Sequence, residues 1–544
     1  MDELFIGIDV GTGSARAGVF DARGKLLAAA KHPIRIWQDG GGIVEQSSDD
    51  IWTAVIASVR EAVAGSGAEP GRISGLGFDA TCSLVVLDEA GAPLATGPSK
   101  DRARNVIVWM DHRAIDQARR INATGHPVLR YVGGVISPEM QTPKLLWLKE
   151  HQPETFAAAG HFFDLSDFLA FRATGSLARS VCTVTCKWTY LAHEGRFDPS
   201  YFEAIGLAEL SRESFARIGT DIVDIASPLG NGLTAEAAAA FGLRAGIPVG
   251  ASLIDAHAGG VGTLGGRGRD GTVADPCGQM ALIMGTSSCA MALTPEPTFV
   301  DGIWGPYFAA MLPGYWLIEG GQSAYGAALD HLVALHPAFA AAKRQAAVEG
   351  LAVLDFLERR AVAMAGSTEA AARLAHHLHI VPEFLGNRSP EADPKATAVL
   401  AGLTIETSLD SLVRLFVAGL CGLCYGTRQI VEAIRRRDVE LDTIVVSGGA
   451  AKSALLRRIL ADAAGLKVAL PETAEPVLLG SAMLGAVAGG VYPDLASAAA
   501  AMCRTVDEIT PAGGSIAVFH AAKYGVFETL QRTEREIRTA MEGA

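Results

Sequence analysis

Gly7-Ile8-Asp9-Val10-Gly11-Thr12-Gly13-Ser14 and Ile283-Met284-Gly285-Thr286-Ser287-Ser288-Cys289-Ala290 decide how this chain is read. Each sets a Gly-Thr-x-Ser turn between two short β-rich runs, and the first leads into Ala15-Arg16-Ala17-Gly18-Val19-Phe20. Such a turn lets backbone N–H groups approach a phosphate closely while hydroxyls face it. One hairpin of this kind would say little. Two of them, half a chain apart, imply two equivalent halves gripping one polyphosphate. The expectation is a nucleotide-dependent phosphotransferase with Gly11, Thr12, Gly285, Thr286 and Ser287 at the phosphates.

At 544 residues the chain is too long for one core, so two large domains are expected. Hydrophobic residues make up 49% and charged residues 19%, which fits a large folded enzyme and argues against disorder. A net charge of −13 gives no basic footprint for nucleic acid, so bound phosphate must be held by local backbone and metal. The acidic start Met1-Asp2-Glu3 lacks the cationic region of a secretory signal. The most apolar stretch, 477–491, is too short and too rich in Gly and Ala to span a membrane, and reads as a closely packed buried helix. Eight scattered cysteines suggest neither a zinc site nor a disulfide framework, consistent with a reducing cytoplasm. Cys421 and Cys424 have redox spacing but sit in a helical apolar pattern and read as core.

Along the chain, strands are expected at 4–10, 15–20, 25–36, 73–78, 83–87, 106–110 and 248–254, with helices at 49–64, 143–151 and 164–173. The run 183–190, carrying Cys186 and Lys187, alternates like a strand. The pattern restarts with a hairpin at 280–293, followed by a long helix over 408–435 and a strand at 443–446. A glycine-rich stretch, 265–271, suggests a boundary between domains 1–265 and 266–544.

Several residues then acquire chemical readings. Asp9, at the end of an apolar strand, can hold Mg²⁺ through water; alone it would read as a turn cap. Asp255 sits at the tip of another apolar strand, where a carboxylate can accept the proton of an acceptor hydroxyl as the γ-phosphoryl moves in line. Helix capping is its competing role. His257 reads as a supporting group. Thr81 and Cys82 follow strand 73–78 and offer a small polar pair for a close-fitting pocket, though turn packing would look alike. Glu319 beside two glycines can accept hydroxyl hydrogen bonds. Asp111 and Arg113 read as a buried ion pair that shapes the pocket. Gly448, Gly449 and Ala450, between a strand and a helix, let adenosine lie against backbone.

Gly7-Ile8-Asp9-Val10-Gly11-Thr12, Trp109-Met110-Asp111-His112-Arg113, Asp255-Ala256-His257, Gly285-Thr286-Ser287 and Ser447-Gly448-Gly449-Ala450, in this order, resemble the FGGY carbohydrate kinases. The resemblance spans 4–492. Thr81-Cys82-Ser83-Leu84-Val85, Cys186-Lys187, Glu319-Gly320-Gly321-Gln322-Ser323 and Gly386-Asn387-Arg388-Ser389-Pro390 are similar to the D-ribulokinase branch. The resemblance implies an α/β fold of two RNase H-like domains of the actin and hexokinase superfamily, flanking an interdomain cleft. Sugar is expected on the N-terminal side and nucleotide on the C-terminal side. It also implies ATP and Mg²⁺ as cofactors, with Asp9 and Asp255 at the metal. Asp255 is then the catalytic base, Lys187 contacts sugar with Thr81, Cys82 and Glu319, and the enzyme is a homodimer. D-Ribulose leads the implied substrates, with L-ribulose, ribitol and xylulose as alternatives. A nucleotide-sensing, non-catalytic actin-like protein is the rival, and the presence of both Asp9 and Asp255 speaks against it.

Overall fold

The computed structural model describes residues 3–542. Strands β1 (Leu4–Val10) and β2 (Ser14–Asp21) form the first hairpin, with Asp9 opposite Arg16. β3 (Leu26–Pro33) pairs antiparallel with β2, while β4 (Ile73–Ala80) and β5 (Val249–Ile254) continue in parallel beyond β1. The sheet order is therefore β5-β4-β1-β2-β3. β1 is buried along its whole length, as an apolar run in a covered sheet must be. Helix α1 (Ser48–Ser66) packs on β2 and β3; Ser47 caps it by accepting from the Asp50 N–H. The strand expected over 25–36 breaks at Pro33, and Ile36–Asp39 opens a separate sheet. That five-stranded sheet also contains Ile43–Gln46, Val106–Ile107, Leu84–Asp88 and Ala159–Asp164.

The second half repeats the scheme. β6 (Gln279–Met284) and β7 (Ser288–Thr294) form the second hairpin. β8 (Trp304–Phe308) and β9 (Trp316–Gln322) add on the β7 side. β10 (Thr443–Ser447) and β11 (Lys467–Pro471) run parallel on the β6 side, and β12 (Thr505–Ile509) closes that edge. The order is β8-β9-β7-β6-β10-β11-β12. Removing β8 and β12 leaves the arrangement of the first sheet, so each hairpin turn occupies the equivalent place in its half.

One segment contradicts its sequence reading. The alternating run through Lys187 is helix α2 (Val181–Lys187), not a strand. Ser180 caps it by accepting from the Cys182 N–H. Buried Asp167 accepts from the Ser180 N–H at 3.0 Å and from the Thr183 hydroxyl at 2.6 Å. These bonds anchor the helix start and outweigh the strand preference of Val181, Thr183, Val184 and Thr185. Helix α3 (Asp255–Val261) follows β5 directly. Helix α4 (Leu409–Arg435) is long and apolar enough to cross a membrane, but most of its apolar window is buried within the second core, including Cys421 and Cys424. All eight cysteines are free.

Helix α5 (Pro476–Ala488), the buried helix expected near 477–491, crosses back to pack on β1, β4 and α3 of the first half. Its contacts are backbone to backbone. A Cβ on Gly7 would lie 1.8 Å from the Leu478 carbonyl oxygen, and one on Gly480 would lie 1.9 Å from that of Ala258. Only hydrogen fits at either place. Glycine here buys the close seam between the halves on which the cleft is built.

Candidate active site

The two hairpin turns face each other across a cleft of about 430 Å³. It is lined by Asp9, Gly11, Thr12, Thr81, Cys82, Lys187, Asp255, Gly285, Thr286, Ser287 and Glu319, so the topology gathers eleven of the residues singled out from sequence. Gly448, Gly449 and Ala450 are not part of this lining. They lie behind the second turn, where Ser447 pairs with Ile283 and a Cβ on Gly448 would meet the Met284 carbonyl at 2.5 Å. A larger open groove of about 980 Å³ between Asp275–Thr298 and Arg435–Asp442 contains none of them.

Each turn is closed by its own backbone. Gly11 N–H donates to the Ser14 carbonyl at 3.1 Å, and Gly285 N–H donates to that of Ser287 at 2.9 Å. The Thr12 carbonyl accepts from the Gln46 side chain at 2.7 Å, and its hydroxyl accepts from the Trp109 indole at 2.9 Å, which leaves the Thr12 hydroxyl proton to donate. In the second turn, Gly326 N–H donates to Gly285 O and Tyr325 N–H to Thr286 O, so both carbonyls are engaged by backbone.

Carboxylates collect at the strand tips. Parallel pairing sets Asp9 beside Asp79. Arg16 donates to Asp9 at 2.6 Å and to Glu475 at 2.8 Å. Asp79 is fully buried and accepts from the Ser481 hydroxyl of α5, while its second oxygen has no partner among the described residues. Burial and the neighbouring Asp9 raise its pKa well above the usual carboxylate range. Asp255 opens α3 as its first residue and not as its cap; its Oδ1 accepts from the Ala256 N–H at 2.7 Å. Burial, then Asp9, hold Asp255 at about 6. A carboxylate poised there can accept a proton near neutral pH. Asp9 and Asp255, both lining the cleft, also present hard oxygen donors of the type Mg²⁺ takes alongside substrate phosphates.

The sugar-side candidates come from both halves. Lys187 ends α2 and is only 8% exposed. Burial opposes its charge, but attraction to acidic neighbours, the ionised Glu319 carboxylate among them, outweighs it and raises the Lys187 pKa. Burial pushes the Cys82 thiol up to about 12, so Cys82 is a neutral wall. The Thr81 hydroxyl exchanges a 3.1 Å hydrogen bond with Ser83. Glu319, on β9, faces His257 Nε2 at 3.3 Å, and His257 Nδ1 lies 3.1 Å from the Cys182 sulfur. Burial opposes ionisation of Glu319, yet His257 and Lys187 bring it down to about 2. Asp111 and Arg113 form the expected buried ion pair, with Arg113 also reaching Glu45 and the Thr96 carbonyl.

Sequence reasoning passed over Arg16, Asp79, Glu139, Trp304 and the side chain of Arg388, all within or beside the cleft. Asp79 carried a usable signal, a carboxylate ending a strand parallel to the one ending in Asp9. Glu139 and Trp304 carried none, since they lie in unremarkable segments that only the fold brings together.

The comparisons agree with this architecture. Residues 4–262 match the N-terminal domain, and 280–489 the C-terminal domain, of the FGGY family of carbohydrate kinases. An FGGY carbohydrate kinase domain-containing protein of Danio rerio is 44% identical, covering 99% of both chains. A D-ribulokinase of Saccharomyces cerevisiae is 37% identical, covering 89% of this chain and 72% of its own. A xylulose kinase from Rhodospirillum rubrum superposes with a TM-score of 0.80 at 22% identity, over 98% of this chain and 99% of its own. The family's two domain models thus cover both halves of the duplicated architecture, and the chain belongs to the FGGY family of carbohydrate kinases.

Proposed function

We propose that this sugar kinase is an ATP- and Mg²⁺-dependent pentulose kinase that converts D-ribulose to D-ribulose 5-phosphate. The observation that carries the reading is Asp255. It is buried at the start of α3, held at about 6, and shares one cleft with both phosphate turns and with Lys187 and Glu319. Asp255 accepts the proton of the terminal primary hydroxyl as that oxygen attacks the γ-phosphorus, and ADP leaves in line. Gly11, Thr12, Gly285, Thr286 and Ser287 hold the phosphates, with Gly448, Gly449 and Ala450 supporting the nucleotide from behind the second turn. Asp9 and Asp255 would hold Mg²⁺, which when bound would neutralise charge on the transferring phosphoryl group.

In this reading residues 1–265 provide most of the sugar wall and 266–544 the nucleotide side, with Glu319 reaching across. Thr81, Cys82, Lys187 and Glu319 fit the acceptor: Lys187 donates, ionised Glu319 accepts, and Cys82 fills space without charge. The 37% identity to a protein named D-ribulokinase supports the choice of sugar. ADP release by the purified protein over D-ribulose, L-ribulose, D-xylulose and ribitol tests it. Highest efficiency on D-ribulose is expected, and highest efficiency on another acceptor would overturn the assignment.

A further inference from the structure

Trp304 forms a platform under two cations from opposite halves. Lys187 Nζ lies 5.6 Å from the ring centroid and the Arg388 guanidinium carbon 5.5 Å from it. All three side chains line the cleft. Among the described residues neither cation has a hydrogen-bond or ion-pair partner, although Lys187 is more than nine-tenths buried. Unpartnered donors at such depth cost free energy unless a ligand oxygen meets them.

The loop that carries Arg388 is anchored through its neighbours. Asn387 donates to Glu383 at 2.6 Å and accepts from the Glu391 N–H at 3.0 Å, and its own N–H reaches the Asp393 carbonyl at 2.8 Å. Ser389 is buried against Gly320, next to Glu319; a Cβ on Gly320 would sit 3.4 Å from it. The loop therefore delivers Arg388 to the sugar end of the cleft. Carboxylates complete the wall: Glu319, engaged by His257, and Glu139, which lies 3.6 Å from His112 Nε2.

Lysine and arginine only donate hydrogen bonds, and ionised carboxylates only accept them. A carbonyl oxygen only accepts. A hydroxyl in its place brings a proton that needs an acceptor, which the two cations cannot supply. We propose, resting on the pentulose kinase reading, that Arg388 and Lys187 together receive the carbonyl oxygen of a keto sugar over Trp304, and that Arg388 is a specificity-determining residue selecting ketoses over the corresponding polyols.

Steady-state ADP release by wild type, Arg388→Gln and Arg388→Lys, each with D-ribulose and with ribitol, tests this. Losing a charged hydrogen bond to the carbonyl should raise the KM for D-ribulose on the order of ten- to a hundredfold in Arg388→Gln. The KM for ATP should stay put, and the KM for ribitol should change far less. Arg388→Lys should recover part of the ketose preference, and thermal melting confirms that both variants are folded. Equal losses on both acceptors, or an unchanged KM for D-ribulose in folded Arg388→Gln, would overturn the inference. If wild type turns over neither acceptor, the parent reading fails instead, a result readable before any variant is made.

Discussion

Gly285→Val separates the phosphate role of the second turn from any structural role. A Cβ at Gly285 meets nothing closer than the Ser287 carbonyl at 3.7 Å, and its φ is not left-handed, so valine can be accommodated without clash or backbone strain. The added methyl groups enter the cleft, because the turn lines it. There they hold a polyphosphate away from the turn's backbone N–H groups. A hydrogen bond to a charged group contributes about 1.5–3 kcal/mol, and ~1.4 kcal/mol is one decade in affinity. Losing one such bond should therefore raise the KM for ATP on the order of ten- to a hundredfold. The sugar KM should move little, and the melting temperature should fall by no more than a few degrees. ADP-release kinetics with ATP varied at saturating sugar, beside a thermal melt, gives both readings. A variant that melts like wild type and keeps its KM for ATP would refute the phosphate-clamp argument for both turns.

Other outcomes follow from the same geometry. Asp255→Asn keeps size but cannot take a proton; kcat should fall on the order of 10²–10⁴-fold while sugar binding by calorimetry persists, and near-normal turnover would exclude Asp255 as the base. A base must be ionised to work, and burial with Asp9 holds Asp255 at about 6. Sugar kcat/KM should accordingly be full above that pH and fall roughly tenfold per unit below it; an acid limb near 4 would contradict the raised value. Gly480→Val, by contrast with Gly285→Val, forces a side chain into the Ala258 carbonyl 1.9 Å away. It should destabilise the protein by about 1–3 kcal/mol or more, and a wild-type melting temperature would show that the seam between halves is looser than its backbone contacts indicate.

Much of this was legible in the chain itself. The hairpins were readable because Gly11 and Gly285 mark turns between apolar runs, and Asp255 because it directly follows a largely apolar strand. The segment 181–187 was not. Its β-branched residues favour a strand locally, and the Asp167 bonds that override them come from elsewhere in the sequence. The helix at 476–488 was recognisable as buried from its glycines, but its packing against β1 and β4, across the expected boundary, depends on which glycines of those strands oppose it. Arg388 stood in a recognised motif without an assigned role, whereas Glu139 and Trp304 reach the cleft only through the fold, so no local pattern announces them.

The central claim, phosphorylation of D-ribulose at its terminal primary hydroxyl, is tested most directly by competing substrates with product identification. A mismatched hydroxyl leaves a buried polar group unpaired at a cost of roughly 1–3 kcal/mol. D-Ribulose should therefore exceed D-xylulose in kcat/KM by at least about tenfold, with NMR showing D-ribulose 5-phosphate as the product. Equal efficiency on the two sugars, or phosphate at any other position, would contradict it.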